Sequence, residues 1–238
     1  MTLAGKVVVV VGGTSGMGLA TVRAAAAAGA KVVAAGHRAV AEREPIDGVR
    51  HAAVDVTDET SVRALFEDLE SVDHMLVSAS PGRPGPFLEQ DLAAARTFVD
   101  GKLLGSWTCA RYAAPRMPAG GSITFVTGVA AVRPSGTAAM VTAAFAAVEA
   151  LSRALALELG PIRVNTIRPG YTDSEMWSSL SEEERRGLRE RVSKAMPVGR
   201  MATPDDIAHA VVFLMTSRQT TGAVLEVSGG ESLVDKVA

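Results

Sequence analysis

Five consecutive valines, Val7–Val11, run straight into the glycine-rich turn GGTSGMG. No other stretch restricts the fold as much. An unbroken β-branched run bounded by turn residues is the pattern of a strand covered on both faces, as in a parallel sheet. A helix-prone run from Leu19 to Ala28, closed by Gly29, follows the turn. The alternation then repeats. Lys31–Ala35, Arg50–Val54, His74–Ser78, Ser122–Val126, Ile162–Ile167 and Ala223–Val227 read as strands. Ser61–Leu69 reads as a helix, and two long helical stretches flank Ser122–Val126. Strands alternating with helices predict an α/β chain: a doubly wound parallel sheet of about seven strands with helices on both faces. With 238 residues, 47% of them hydrophobic, and no linker or repeat, the chain reads as one domain over 1–238.

In such sheets ligands sit beyond the carboxyl ends of the strands. Gly12, Gly16 and Gly18 follow G-x-x-x-G-x-G spacing around Thr14, Ser15 and Met17. Gly12 permits the tight turn. Gly16 and Gly18 let the backbone approach a pyrophosphate at a helix N-terminus, where free N–H groups and the helix dipole attract anions. Thr14 and Ser15 add hydroxyl donors. The bland alternative is a glycine turn without a ligand, but the position between strand and helix favours a dinucleotide. The second strand ends AAGHR. An NAD site usually places an acid here for the ribose hydroxyls. Gly36 stands there instead, followed by His37 and Arg38. Arg38 suits a bidentate grip on a 2′-phosphate, with His37 assisting, so NADP(H) is favoured over NAD(H). The alternative is a solvated surface pair.

Charge and composition exclude other classes. The net charge is −2 without a basic block, so no nucleic-acid partner is expected. The valine run is too short for a signal-peptide core or a membrane span, and the alanine runs are interrupted, so no membrane partner is expected. The single cysteine, Cys109, fits a cytoplasmic location. The four histidines (His37, His51, His74, His209) are scattered, and no metal site is expected.

The chain resembles the short-chain dehydrogenase/reductase family along nearly its whole length. The matching segments are GGTSGMG, VDVTD, HMLV, GSITFVTG, AAVEALSRALALEL, IRVNTIRPGYTDSEM, PVGRMATPDDIAHAVVFLMTS and TGAVLEVSGG. The resemblance implies a Rossmann-type fold binding a nicotinamide dinucleotide and a small-molecule substrate. It implies that Asp55 and Val56 contact adenine, and that Ser78, Ala79 and Ser80 run past the ribose. It places Thr127, just after the fifth strand, beside the cofactor. Pro169, Gly170, Thr172 and Ser174 cover the nicotinamide, and residues 171–200 form a substrate lid. It also implies a homodimer or homotetramer through the helices beside the fifth strand.

The family's chemistry uses Asn, Ser, Tyr and Lys, the tyrosine moving the proton. Carried over residue by residue, these positions hold Lys102, Gly128, Val141 and Phe145. The only tyrosines, Tyr112 and Tyr171, have Arg116 and Glu175 four residues on, so no Tyr-x-x-x-Lys exists to be found by a shifted reading. Loss of the proton donor alone costs about 10²–10⁴ in rate for a ketone. Three readings follow. The first is a reductase of an iminium or otherwise activated acceptor, which needs no proton; some family relatives acting on cyclic imines also lack the tyrosine. The second is an inactive relative serving as cofactor sensor or partner subunit. The third is a cofactor-independent lyase or cyclase. For the first, Asp173 and Arg133 on the cleft rim are the candidate catalytic groups, weighed against a helix-capping acid and a surface loop charge. For Lys102 the ordinary expectation is a salt bridge within its helix.

Overall fold

Seven parallel strands form one sheet in the computed structural model of the chain, which describes residues 2–37, 45–81, 85–134 and 136–234. The strands are β1 (Val7–Val11), β2 (Lys31–Gly36), β3 (Val49–Ala53), β4 (His74–Val77), β5 (Ser122–Val126), β6 (Arg163–Pro169) and β7 (Val224–Val227). Their order is β3-β2-β1-β4-β5-β6-β7, so the chain reverses its direction of travel between β1 and β4. That reversal opens the crevice in which doubly wound sheets bind ligands.

The valine run shows why the sheet is covered on both sides. Side chains alternate along a strand. Val9 and Val11 join Met75, Val77, Ile123 and Phe125 on one face. Val8 and Val10 join Leu76, Val126 and Ile167 on the other. The first face is closed by α2 (Glu59–Glu67), α4 (Gly105–Ala113) and α5 (Ala139–Glu158), through Phe66, Cys109 and Val148. The second is closed by α1 (Gly16–Ala27) and α7 (Pro204–Thr216), through Val22, Ile207 and Leu214. The predicted doubly wound architecture is the observed one.

Two other helices serve the cleft. α3 (Leu92–Val99) continues through five π-helical residues, Asp100–Leu104, into α4. α6 (Glu182–Ala195) lies within the expected lid, and its Ser181–Glu184 capping box is formed in both directions. Several boundaries differ from the sequence reading. α1 begins at Gly16 rather than Leu19, because the glycine turn itself supplies its first residues. β6 runs on to Pro169 and pairs Arg168 and Pro169 with β7. One expectation is corrected in part: α5 is long and apolar enough, by length and composition alone, to cross a membrane. It nevertheless packs on β6 and carries Glu149, which holds Arg168 of that strand.

Candidate active site

The glycine turn is a cradle kept free of side chains. Gly12 adopts φ +86, and a Cβ there would lie 2.6 Å from the Ala79 amide nitrogen at the end of β4. A Cβ on Gly18 would lie 2.0 Å from the Gly12 carbonyl oxygen, so helix and turn touch through bare backbone. Gly16, at φ +50, has only Ser174 Cβ near it, at 3.7 Å. Ser15 caps α1 with an extended backbone and no side-chain capping bond. The Ser15 side chain therefore leaves the first-turn amides to an anion. Thr14 is buried against Gly36, where a Cβ would meet its hydroxyl at 2.6 Å. Met17 packs instead on the apolar core.

Beside the cradle, Asp55 accepts bonds from the Thr57 amide and hydroxyl at 2.9 and 2.7 Å. The Thr57 hydroxyl, then its amide, hold the carboxyl below its ordinary range. His37 is exposed, its ring 3.8 Å from Asp55. Val56 packs under Gly105, where a Cβ would sit 2.8 Å from the Val56 carbonyl oxygen. The Ser78 and Ala79 amides both bond the Val11 carbonyl, which joins Ser78, Ala79 and Ser80 to the turn. Arg38 lies outside the described residues.

Pro169 ends β6, and the next residues return to the cradle. Gly170 lies tight against Glu231, whose Oε2 would be 2.4 Å from a Cβ. Thr172 is buried and its hydroxyl donates to the Gly170 carbonyl at 3.0 Å. Ser174 is buried beside Gly16. Thr127 is also buried, but its hydroxyl donates to Glu149 at 3.1 Å. Glu149 in turn binds Arg168 at 2.6 Å, and Arg168 reaches Glu226 at 3.1 Å.

Of the four positions assigned above by resemblance, Gly128, Phe145 and Lys102 come together in a closed wall. Gly128 is extended, with φ −179, and a Cβ there would lie 2.9 Å from Phe145 Cε2. The Phe145 ring therefore stands where a serine side chain would project. Phe98 of α3 meets that ring with centroids 6.3 Å apart. Lys102 is buried in the π-helical segment, with Nζ 5.4 Å from the Phe145 centroid. Its Nζ donates to the Ala79 carbonyl at 3.4 Å. The expected intrahelical salt bridge is absent among the described residues, because the π segment turns the side chain into the fold. Burial pulls the ammonium pKa down to about 8. Val141 is half-buried one turn before Phe145.

The rim candidates are engaged. Asp173 pairs with Arg185 at 2.9 Å and Arg189 at 2.6 Å, both on α6. It is neither an unpaired acid nor a helix cap; it ties the lid helix to the cleft. Arg133 donates to the Glu231 carbonyl at 2.5 Å. Glu231, which sequence reasoning missed, accepts from the Tyr171 amide at 2.8 Å, and burial raises its pKa. Burial, then Glu231, raises the Tyr171 phenol as well. Glu149 was missed too. The available signal was an acid on the buried stripe of an alanine-rich helix.

A bare-backbone cradle at the switch point of a doubly wound sheet defines a dinucleotide-binding α/β protein. The family model described as enoyl-(acyl carrier protein) reductase matches residues 11–232. The cis-4-hydroxycyclohexanecarboxylate dehydrogenase of Sinomonas cyclohexanicum is 33% identical, over 96% of this chain and 97% of its own. A solved small-chain dehydrogenase in complex with NADPH superposes with a TM-score of 0.84 at 31% identity, over 96% of this chain and 99% of its own. The MalC reductase/Diels-Alderase from Malbranchea aurantiaca superposes at 0.88 with 27% identity, over 97% and 98%. The chain belongs to the short-chain dehydrogenase/reductase family, and is an oxidoreductase by that membership.

Proposed function

We propose that this chain is an NADP(H)-dependent reductase of a small molecule, delivering hydride to an iminium or otherwise activated acceptor without its family's tyrosine acid. The observation that carries the reading is the contrast within one cleft. The glycine cradle is kept bare, while Phe145 fills the space beside Gly128 that a serine side chain would need. Selection for cofactor binding explains the first, and an apolar wall against the acceptor explains the second. When bound, the cofactor supplies the hydride; the chain's residues orient it and exclude water. The Gly36-His37-Arg38 sequence, with no acid where an NAD site usually has one, and the relative bound to NADPH support NADP(H). The relative described as a reductase/Diels-Alderase supports chemistry beyond simple ketone reduction.

Residues 171–200 are read as the lid, held by Asp173 to α6. A homodimer or homotetramer is supported by exposed Leu104 and Trp107 on and beside α4, and by Leu157 on α5. The same Phe145 wall also favours a second reading, a cofactor-binding subunit without turnover.

The test is titration of the protein with NADPH and NADH, read by quenching of Trp107 and Trp177. NADPH binding tighter than NADH, followed by NADPH consumption with an activated acceptor, is the expected result. Binding without turnover on any acceptor selects the non-catalytic reading. Binding of neither dinucleotide refutes both.

A further inference from the structure

Lys102 has no part in the function proposed above, yet its surroundings are incomplete. An ammonium carries three donors. Among the described residues, Lys102 Nζ has one hydrogen-bond acceptor, the Ala79 carbonyl at 3.4 Å. The Phe145 ring covers another side. A buried charge so sparsely paired is costly unless a ligand completes its bonds. Lys102 is also the one buried lysine among the described residues.

Its place in the cleft is specific. The Ala79 amide that crowds Gly12 belongs to the residue whose carbonyl takes the Lys102 bond. The ammonium is therefore one peptide from the cofactor cradle. Phe145, on its other side, reaches Gly128. Of the other three positions assigned to the family's chemistry, Phe145 thus touches this charge and Gly128 lies behind that ring. The backbone beneath it is held firmly, since a Cβ on Gly101 would lie 2.0 Å from Pro81.

Among the described residues no charged side chain answers it. From α5 comes Phe145, with Glu149 one turn on and already bound by Arg168 and Thr127. From the segment after β4 come the Ala79 carbonyl and Pro81. Its own π segment offers Asp100, which is exposed. Burial is accordingly the sole cause of its lowered pKa, pulled down to about 8.

We propose that Lys102 directs its ammonium at the reacting end of the bound cofactor and supplies the positive charge this site offers to the acceptor's oxygen. The proposal rests on the NADP(H) reading and narrows its activated acceptor to an uncharged conjugated carbonyl, rather than a preformed iminium cation. In the step, the hydride electron pair forms the new C–H bond and the carbonyl π pair moves to oxygen. The oxygen takes one proton from the Lys102 ammonium. The neutral amine regains a proton from water, and the cofactor is left oxidised by two electrons. A cationic acceptor would be repelled by the same charge.

The cofactor feels it too. The reduced nicotinamide ring is neutral and the oxidised ring is cationic, so the ammonium disfavours NADP⁺. At an effective dielectric of about 20, two unit charges roughly 6 Å apart change affinity by up to about a hundredfold, and solvent reduces this toward tenfold. The test is the ratio of NADP⁺ to NADPH dissociation constants, by calorimetry from pH 6.5 to 9.5. Wild type, Lys102→Met and Lys102→Arg are compared. The ratio cancels the ionisation of the 2′-phosphate, which both cofactors share.

In wild type the ratio is expected to be high at pH 6.5 and to fall about tenfold or more as the ammonium loses its proton near pH 8. Lys102→Met should give a low, flat ratio, and Lys102→Arg a high ratio throughout. A flat wild-type profile, or a high ratio retained in Lys102→Met, overturns the proposal. If Lys102→Met does not fold, the wild-type profile and Lys102→Arg still decide. Absence of all dinucleotide binding sinks the NADP(H) reading itself, a distinct outcome. NADPH-dependent reduction of 3,4-dihydroisoquinolinium in preference to 2-cyclohexen-1-one would overturn the acceptor class.

Discussion

Gly128 and Phe145 should be energetically coupled, and a double-mutant cycle can measure it. Gly128 is extended, so a side chain there carries no backbone strain of its own. Its whole cost comes from the Phe145 ring, 2.9 Å from the new Cβ at Cε2 and 3.3 Å at Cδ2. That ring is not free to swing, with Phe98 on one side and Lys102 on another. Gly128→Ala should therefore destabilise by about 1–3 kcal/mol, the usual range for overpacking. Phe145→Ala removes a half-buried ring and should cost about 2 kcal/mol, below the range for a fully buried phenylalanine. In Gly128→Ala/Phe145→Ala the new methyl enters space the ring has left. The double variant should then cost no more than Phe145→Ala alone, a coupling of about 1–3 kcal/mol, the whole cost of Gly128→Ala. Urea unfolding of the four proteins gives the numbers, with the slopes compared to exclude changes in the unfolded state. Additivity within about 0.5 kcal/mol would show that the ring does not occupy the serine position, and the closed-wall argument would fail.

Two further outcomes are expected elsewhere. His74 is buried with Nδ1 2.9 Å from the Ser122 hydroxyl, and burial, reinforced by Arg163 and Lys6 against Asp73, holds its pKa down to about 4. The unfolded histidine titrates near 6.5, so the unfolded state binds the extra proton between these values. Stability present above pH 6.5 should be lost as pH falls toward 4, by on the order of 3 kcal/mol. His74→Gln should flatten that limb in pH-dependent urea melts; an unchanged limb would assign it to other groups. Asp173→Asn should loosen α6, because it removes half-exposed pairs with Arg185 and Arg189 worth roughly 1 kcal/mol. Protease cleavage within 182–195 should rise about fivefold, whereas an unchanged rate would mean that the packing of Val192 and Met196 alone holds the helix.

The parts of this molecule that were legible in the sequence are those set by local pattern. The valine run, the glycine spacing and the Ser181–Glu184 box each specify their structure within a few residues. The absence of any Tyr-x-x-x-Lys was equally readable, since it needs only residue identity. What could not be read were partnerships across the fold. Glu149 and Arg168 are 19 positions apart, and Arg168 and Glu226 are 58 apart. Asp173 looked available because its arginines come later, on a helix whose polar face resembles any solvated one. Lys102 was expected to pair within its helix because an α-helical phase was assumed. Its burial depends on backbone winding that no side-chain pattern announces.

That winding has a consequence for the lineage of this chain. A π-helical turn holds one residue more than an α-helical turn. Each residue of an α-helix advances the phase by about 100°. Removing one residue from Asp100–Leu104 would let α3 and α4 merge into a continuous α-helix, but would rotate one against the other by about that angle. Phe98 on α3 and Cys109 and Ala113 on α4 are all buried now. After such a deletion they could not all face inward together. The extra residue is thus a fixed offset between two packed surfaces, and point substitution at Lys102 is open to evolution while loss of a single codon around it is not.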